Sequence, residues 1–447
     1  MSLPPRAGWL FAHDWDGRAR DDLQARGRAC FDHAGFDLFS FPSNAALAFY
    51  DHERFAQRQA RRGRRLGWHA VLSHQEHFGA VAAALVAEEL GLPGTPVESL
   101  LAAQHKLHAR RVLQQVAPEA NLRFAALEAE YGDNIPHGLA YPAFVKPVKA
   151  AFSVLARTVD DHAALQAHTR FGRRELWVIR HLVDPFDRLC RARLPQAGSA
   201  HRMLLEEPVP LAVPQYNLDG WVADGQVHAL GVVDAVMYPG TAAFMRWELP
   251  SRLAPPVQAR ALDVARRFLG AIGFTRGLFN LEFFHDPATD RLSVIECNPR
   301  LASQFGDLYQ RVHGIDPHAM GVALALGEDP AALPRSEPTA GVAASLVYRA
   351  FSPADVPRAP GPAQRAAFAQ AHPDALMFSF PKTGAALARD FKWTGNHHHG
   401  FVHLGGRDRE QMLDRAEHAS ALLGWPAPCL DRDAPAGVSP HLERKFA

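Results

Sequence analysis

Residues 277–314, GLFNLEFFHDPATDRLSVIECNPRLASQFGDLYQRVHG, decide how this chain folds. From Gly277 to His285 the residues alternate, with Leu278, Asn280, Glu282 and Phe284 on one side and Phe279, Leu281 and Phe283 on the other, the period of a strand. The steps Asp286-Pro287 and Thr289-Asp290 read as a turn, and residues 291–297 return as a second strand. There Leu292, Val294, Glu296, Asn298 and Arg300 share a parity, so an extended chain projects the last three together. The predicted hairpin therefore presents two carboxylates, an amide and a guanidinium from one surface.

Carboxylates set among apolar strand residues are costly to bury unless cations or basic partners compensate them. Magnesium is the economical solution, because it takes hard oxygen ligands, usually one or two carboxylates completed by phosphate and water, and Glu282, Glu296 and the amide oxygen of Asn298 supply that set. The bland alternative is a half-exposed hairpin in which Glu296 pairs with Arg300.

The pattern N-x-E followed by I-E-C-N-P-R, with SQFGDLYQRVHGID downstream, resembles the metal-binding end of the ATP-grasp superfamily, which includes D-alanine ligase and biotin carboxylase. The resemblance runs over residues 99–328 and more loosely over the rest. It implies that Glu282, Glu296 and Asn298 hold one or two Mg2+ (or Mn2+) ions with ATP, and that Arg300 stabilises a transferred phosphoryl group or an oxyanion. Ser303 and Gln304, just past Arg300, become candidate substrate contacts.

Upstream, Lys106 lies in a helical pattern over residues 99–116. Lys146 lies in the strand-like run YPAFVKPV, where it shares its parity with Phe144 and Val148 and so projects from an apolar strand. A lysine in that setting wants an anion; in the resembling family the corresponding lysines contact the ATP phosphates beneath a glycine-rich flap. Here Lys149-Ala150-Ala151-Phe152-Ser153 contains no glycine, so the flap is expected to be stiffer, with backbone amides up to Ser153 and the charge of Lys149 facing phosphate. The segment MLLEEPV at 203–209 is extended and ends on a proline, which suits adenine recognition. By resemblance the backbone of Glu207 and Val209 meets the adenine edge, with Glu206 also at the ATP site or else part of a surface acidic pair at a hinge, and Gln215 stands where relatives hold the ribose diol with a glutamate.

Between these parts, Asp224-Gly225 marks a hairpin. Arg246 falls in an apolar run, where it meets either a γ-phosphate or substrate carboxylate, or pairs with Asp234 or Glu248 as a structural salt bridge.

The 447 residues, 47% hydrophobic, suffice for two or three domains. Basic and acidic residues number 48 and 47, a formal charge of +1, so no nucleic-acid or membrane partner is expected. The four cysteines, Cys30, Cys190, Cys297 and Cys429, are scattered and no long apolar run occurs, which predicts a reducing, cytoplasmic setting. Cys297, of opposite parity to Glu296 and Asn298, is expected to be a core residue. Residues 8–12, 36–41 and 68–73 read as buried parallel strands with helices between, notably over 78–90, and His74-Gln75-Glu76-His77 sits at a strand's carboxyl end. His397-His398-His399 reads as a polar loop.

The expected architecture is thus α/β and α+β: an N-terminal Rossmann-like domain over 1–97, an ATP-grasp domain over 98–330 with its lid within 121–208, and a small C-terminal α+β unit over 331–447. The resemblance implies a ligase that activates a substrate carboxylate as an acyl phosphate and joins it to an amine. Its partners would be those two small molecules, with a homodimer by analogy. Two alternatives stay open: biotin-carboxylase-like activation of bicarbonate, and an ATP-binding regulatory protein without turnover.

Overall fold

The computed structural model describes residues 3–37, 43–130, 133–150 and 155–432. Three sheets organise them. The first is parallel, with Arg6–Leu10 between Cys30–Ala34 and Trp68–Leu72. The second strand thus falls at Cys30–Ala34 and not at 36–41, because Cys30, Phe31 and Asp32 extend a half-exposed edge beside the buried central strand; residues 38–42 lie outside the described residues. Helix Gly79–Leu90 buries its first nine residues, consistent with an alanine- and valine-rich sequence that has no polar face over that span.

The second sheet, of four antiparallel strands, contains Phe124–Glu130, Arg202–Glu206, Ala143–Pro147 and Arg157–Val159 in that spatial order. The third is an eight-stranded antiparallel sheet that begins with the hairpin Gly277–Asp286 and Arg291–Asn298 and continues through Gln215–Ala223, Gln226–Met237 and Phe244–Leu249. Val342–Ala350, His397–Gly406 and Leu376–Ser379 complete it. The C-terminal strands therefore extend the central sheet and form no sheet of their own.

The faces of this large sheet differ. Phe279, Leu281, Phe283 and Leu218 join Val257, Val264 and Phe268 of helix Pro255–Ala271 in the main core. The opposite face carries Glu282 and Asn280, and farther along it Trp247, Ala343 and Val347 pack under Phe305, Leu308 and Tyr309. The period-two reading of the hairpin holds in the first strand. In the second, a bulge pairs Glu282 with Glu296 but Phe283 with Val294, so Ile295 is extra and Val294 turns into the core instead of sharing the side of Glu296.

At the far edge, His397-His398-His399 opens a strand and is not a polar loop. His397 and His399 are buried, and His397 Nδ1 lies 2.8 Å from Asp390. Cys297 is buried in the main core, where burial pushes its thiol pKa up.

Candidate active site

The hairpin pairing builds two polar rows across three adjacent strands. Glu296, Glu282 and Asn217 form one; Asn298, Asn280 and Asp219 form the other. The amide nitrogen of Asn298 donates to Glu282 Oε1 at 3.0 Å and to Asn280 Oδ1 at 3.3 Å, which turns the Asn298 oxygen away from both. Asn280 donates to Asp219 Oδ1 and the Tyr309 hydroxyl donates to Asp219 Oδ2, each at 2.9 Å. Burial lifts the Asp219 pKa to about 7 against those two hydrogen bonds.

The glutamates are held differently. Burial first and the neighbouring charge of Glu296 second raise Glu282 to about 8. Burial acts on Glu296 too, but Lys106 and Lys146 overcome it and hold its pKa near 2. Two half-buried carboxylates directly paired across the hairpin are costly to charge together without a further cation. A magnesium ion there would take oxygens of the two carboxylates, and that of Asn298 once its amide turns over. Among the described residues no group of three or more His, Cys, Asp or Glu side chains is placed to hold a metal ion.

Facing the carboxylates is a wall of cations. The 99–116 helical pattern is broken at His105 into helices Val97–Gln104 and Lys106–Val116, and the break sets Lys106 at the head of the second helix. Lys106 Nζ lies 2.8 Å from Glu296 and donates to the Ala150 carbonyl at 2.9 Å. One turn on, Arg110 donates to Glu206 at 2.5 Å, to the Val294 carbonyl at 2.7 Å and to the Ile295 carbonyl at 3.0 Å. The bulge at Ile295 thus offers its carbonyl to cations, because Lys146 Nζ also reaches it, at 3.3 Å, while standing 3.0 Å from Glu206. Burial lowers the Lys146 pKa, and Glu206 opposes the shift. Lys149 is brought to about 8 by burial; its Nζ donates to Gln104 at 2.6 Å and lies 4.6 Å from the centre of the Phe186 ring.

Arg300 closes the cluster. It donates to Glu76 Oε2 at 2.8 Å, so the loop after strand Trp68–Leu72 carries an acid into the site from the first sheet. The cluster holds Lys106, Lys146, Lys149, Arg110 and Arg300 against Glu76, Glu206, Glu282 and Glu296, five cations to four carboxylates. So small an excess does not neutralise a triphosphate unless a metal ion accompanies it.

The structure brings together Glu282, Glu296, Asn298, Arg300, Lys106, Lys146, Lys149 and Glu206. It corrects other expectations. Gln215 donates to Glu282 Oε2 at 3.0 Å, so its amide orients that carboxylate and is not turned to a ribose diol. The Glu206 carboxylate is spent on Arg110 and Lys146, and that of Glu207 on Arg123 and Arg291. The backbone N–H of Glu207 donates to the Arg123 carbonyl, which removes it from any adenine edge; Val209 follows half-buried beyond the strand. Gln304 donates to Ser345 Oγ at 2.8 Å and so anchors the neighbouring strand, while Ser303 is buried at the start of a short turn. Ser153 and most of the flap lie outside the described residues.

Arg246 is not a phosphate or substrate ligand. It stands on the face of the sheet opposite Glu282, fully buried, and donates to Glu248 and to both oxygens of Asp431, each at 2.6 Å. Removing it leaves Glu248 and Asp431 only Arg409, 3.1 Å from each, so Arg246→Met is expected to cost about 3 kcal/mol of stability while leaving the KM for ATP within about twofold; denaturant unfolding and initial-rate kinetics measure the two.

Sequence reasoning missed Arg110, Asn217 and Asp219 and left Glu76 unassigned. The signals were present. Arg110 follows Lys106 by one helical turn, and Gln215, Asn217 and Asp219 share a parity in an otherwise apolar strand.

No family model matches the chain. Carnosine synthase 1 of Gallus gallus is 30% identical over 295 residues, 62% of this chain and 29% of that protein, so the match spans less than a third of the relative's length. An L-amino acid ligase from Bacillus licheniformis superimposes with a TM-score of 0.65 at 15% identity, over 94% of this chain and 98% of its own. Biotin carboxylase of Campylobacter jejuni, solved as a β,γ-ATP complex, does so with a TM-score of 0.60 at 14% identity, over 94% and 92%. The chain has the ATP-grasp fold. Among the described residues no helix is long and apolar enough to cross a membrane.

Proposed function

We propose that this chain is an ATP-dependent ligase that activates a small carboxylic acid and joins it to an amine, releasing ADP and phosphate. The observation that carries the reading is the register of Glu282 with Glu296, met by Lys106, Lys146 and Arg300 in one half-buried cluster. The same reading keeps the division of the chain into residues 1–97, 98–330 and 331–447.

In this mechanism Lys106, Lys146 and Lys149 hold phosphate oxygens, and Val209 with the Glu207 carbonyl meets the adenine edge. Glu282, Glu296 and Asn298 hold Mg2+ or Mn2+, which when bound offsets charge on the phosphates. The acid pairs with Arg300 in place of Glu76. Its oxygen attacks the γ-phosphorus, ADP departs, and the amine nitrogen attacks the acyl carbon as phosphate leaves and the nitrogen gives up a proton. Positioning and neutralisation carry the rate, since water-exposed acyl phosphate would hydrolyse.

Magnesium-dependent ADP release with paired acids and amines tests the reading. Release that needs bicarbonate alone would point to bicarbonate activation, and tight ATP binding without release under any pairing would point to a regulatory protein. Asp219 supports Asn298 through Asn280, so Asp219→Asn is expected to raise the Mg2+ concentration for half-maximal activity roughly 10–100-fold, as loss of an outer partner does at metal sites. A magnesium titration checks this; an unchanged midpoint would remove Asp219 from the metal wall.

A further inference from the structure

A crevice of about 100 Å³, with Arg300 in its lining, runs between helix Gly79–Leu90 and the start of strand Gly277–Asp286, with helix Pro317–Leu326 as its third side. It begins at the carboxyl end of strand Trp68–Leu72, where parallel α/β sheets present their ligands. Ala80, Ala83, Ala84 and Ala87, spaced to share one helix face, form one wall. Small residues make room, but they do not by themselves call for an occupant.

His74 does. It lines the same crevice, is 3% exposed, and its Nε2 is buried with no hydrogen-bond partner among the described residues. The imidazole edge packs beside Gly321, another lining residue, where an added Cβ would stand 3.0 Å from Cε1 and 3.5 Å from Nε2, so the ring keeps its place at the crevice wall only because that position has no side chain. Burial lowers the His74 pKa to about 3 although Asp16 opposes the shift, so the ring is neutral near pH 7 and offers one hydrogen bond without charge.

We propose that this crevice is the acid subsite, and that it takes a short aliphatic carboxylic acid bearing an uncharged hydrogen-bonding group at its far end. The carboxylate lies on Arg300, the methylenes lie against the alanines, and the terminal group meets His74 Nε2. The crevice is smaller than the cavity of about 150 Å³ that holds benzene, which limits the tail to a few heavy atoms. This inference rests on the acid-activating reading above and deepens it by naming the acid's class.

Hydroxylamine provides a test that does not require the natural amine. Its nitrogen attacks the acyl carbon of an acyl phosphate, the bond from that carbon to the phosphate oxygen breaks, phosphate leaves with the electron pair, and the nitrogen loses a proton to give a hydroxamate. Full-length protein with MgATP and hydroxylamine is offered propanoate, butanoate, pentanoate and hexanoate, each plain and with a terminal hydroxyl. At one chain length the hydroxylated acid is expected to exceed its plain counterpart in kcat/KM by at least about tenfold. His74→Leu is expected to bring the two to parity, and Ala84→Leu to lower rates in order of chain length, the longest most. Thermal melting and MgATP binding show that each variant is folded; should Ala84→Leu not fold, His74→Leu decides alone. Acid profiles unchanged in the folded variants would overturn the subsite. No hydroxamate from any acid, with MgATP still bound, would instead overturn acid activation itself, which is a different failure.

Discussion

Glu296→Gln is expected to reduce ATP turnover by at least about a thousandfold, at the upper end of what loss of one preorganised electrostatic partner costs, with the protein still folded. Glutamine matches glutamate in shape, so Cys297 keeps its place in the core and the pairing with Glu282 survives. What disappears is the charge. Glu296 is the carboxylate that the lysines keep ionised, whereas Glu282 is held up at about 8 largely by burial and by Glu296 itself. The variant therefore leaves Lys106 without its ionised partner at 2.8 Å and offers a metal ion one carboxylate in place of two. Lys146→Ala is expected to be comparably inactive by the opposite route, since it removes positive charge between Glu206 and the Ile295 carbonyl. ADP release under saturating ATP, beside circular dichroism and melting, measures both. Wild-type-like turnover in the two variants would remove the assignment of this cluster as the phosphoryl-transfer site.

The hairpin was legible because alternation fixes which side chains share a face, and Glu282, Asn298 and Arg300 do project together. Alternation fails where the backbone breaks its period. The bulge at Ile295 leaves no mark in the residue pattern, yet it turns Val294 inward and gives Arg110 and Lys146 a carbonyl to bind. Lys106 was found, but the break at His105 that points it at Glu296 was hidden within one continuous helical pattern. Arg246 illustrates the remaining limit. Its residue type suits phosphate as well as it suits a salt bridge; only the sheet register, which turns it to the far face with Glu248, where Asp431 meets it, decides between them. Long-range partners such as Glu76 on Arg300 are separated by more than two hundred residues, and no local period connects them.

Arg110→Met is expected to have the largest effect on stability of any single change at this site, about 3–5 kcal/mol, the range for breaking a buried ion pair from one side. The guanidinium and the Glu206 carboxylate are each 2% exposed, so neither is solvated when its partner is lost. Arg110 also donates to Asn121 and to the carbonyls of Val294 and Ile295, and methionine can satisfy none of these. The consequences extend beyond the pair, because Glu206 belongs to the four-stranded sheet, Ile295 to the metal hairpin and Arg110 to the helix that begins at Lys106. One side chain thus ties together three elements that carry opposite sides of the nucleotide site. Urea unfolding should show the midpoint falling with an unchanged slope, and the KM for ATP should rise as Lys146 is left alone with Glu206. Methionine at 110 with wild-type stability would mean that Lys146 by itself can hold the buried carboxylate. Arg110→Met combined with Glu206→Gln separates the two contributions: if the unpaired charge is the main cost, the double variant recovers most of the lost stability, while the KM for ATP stays high because the bulge carbonyls remain unheld.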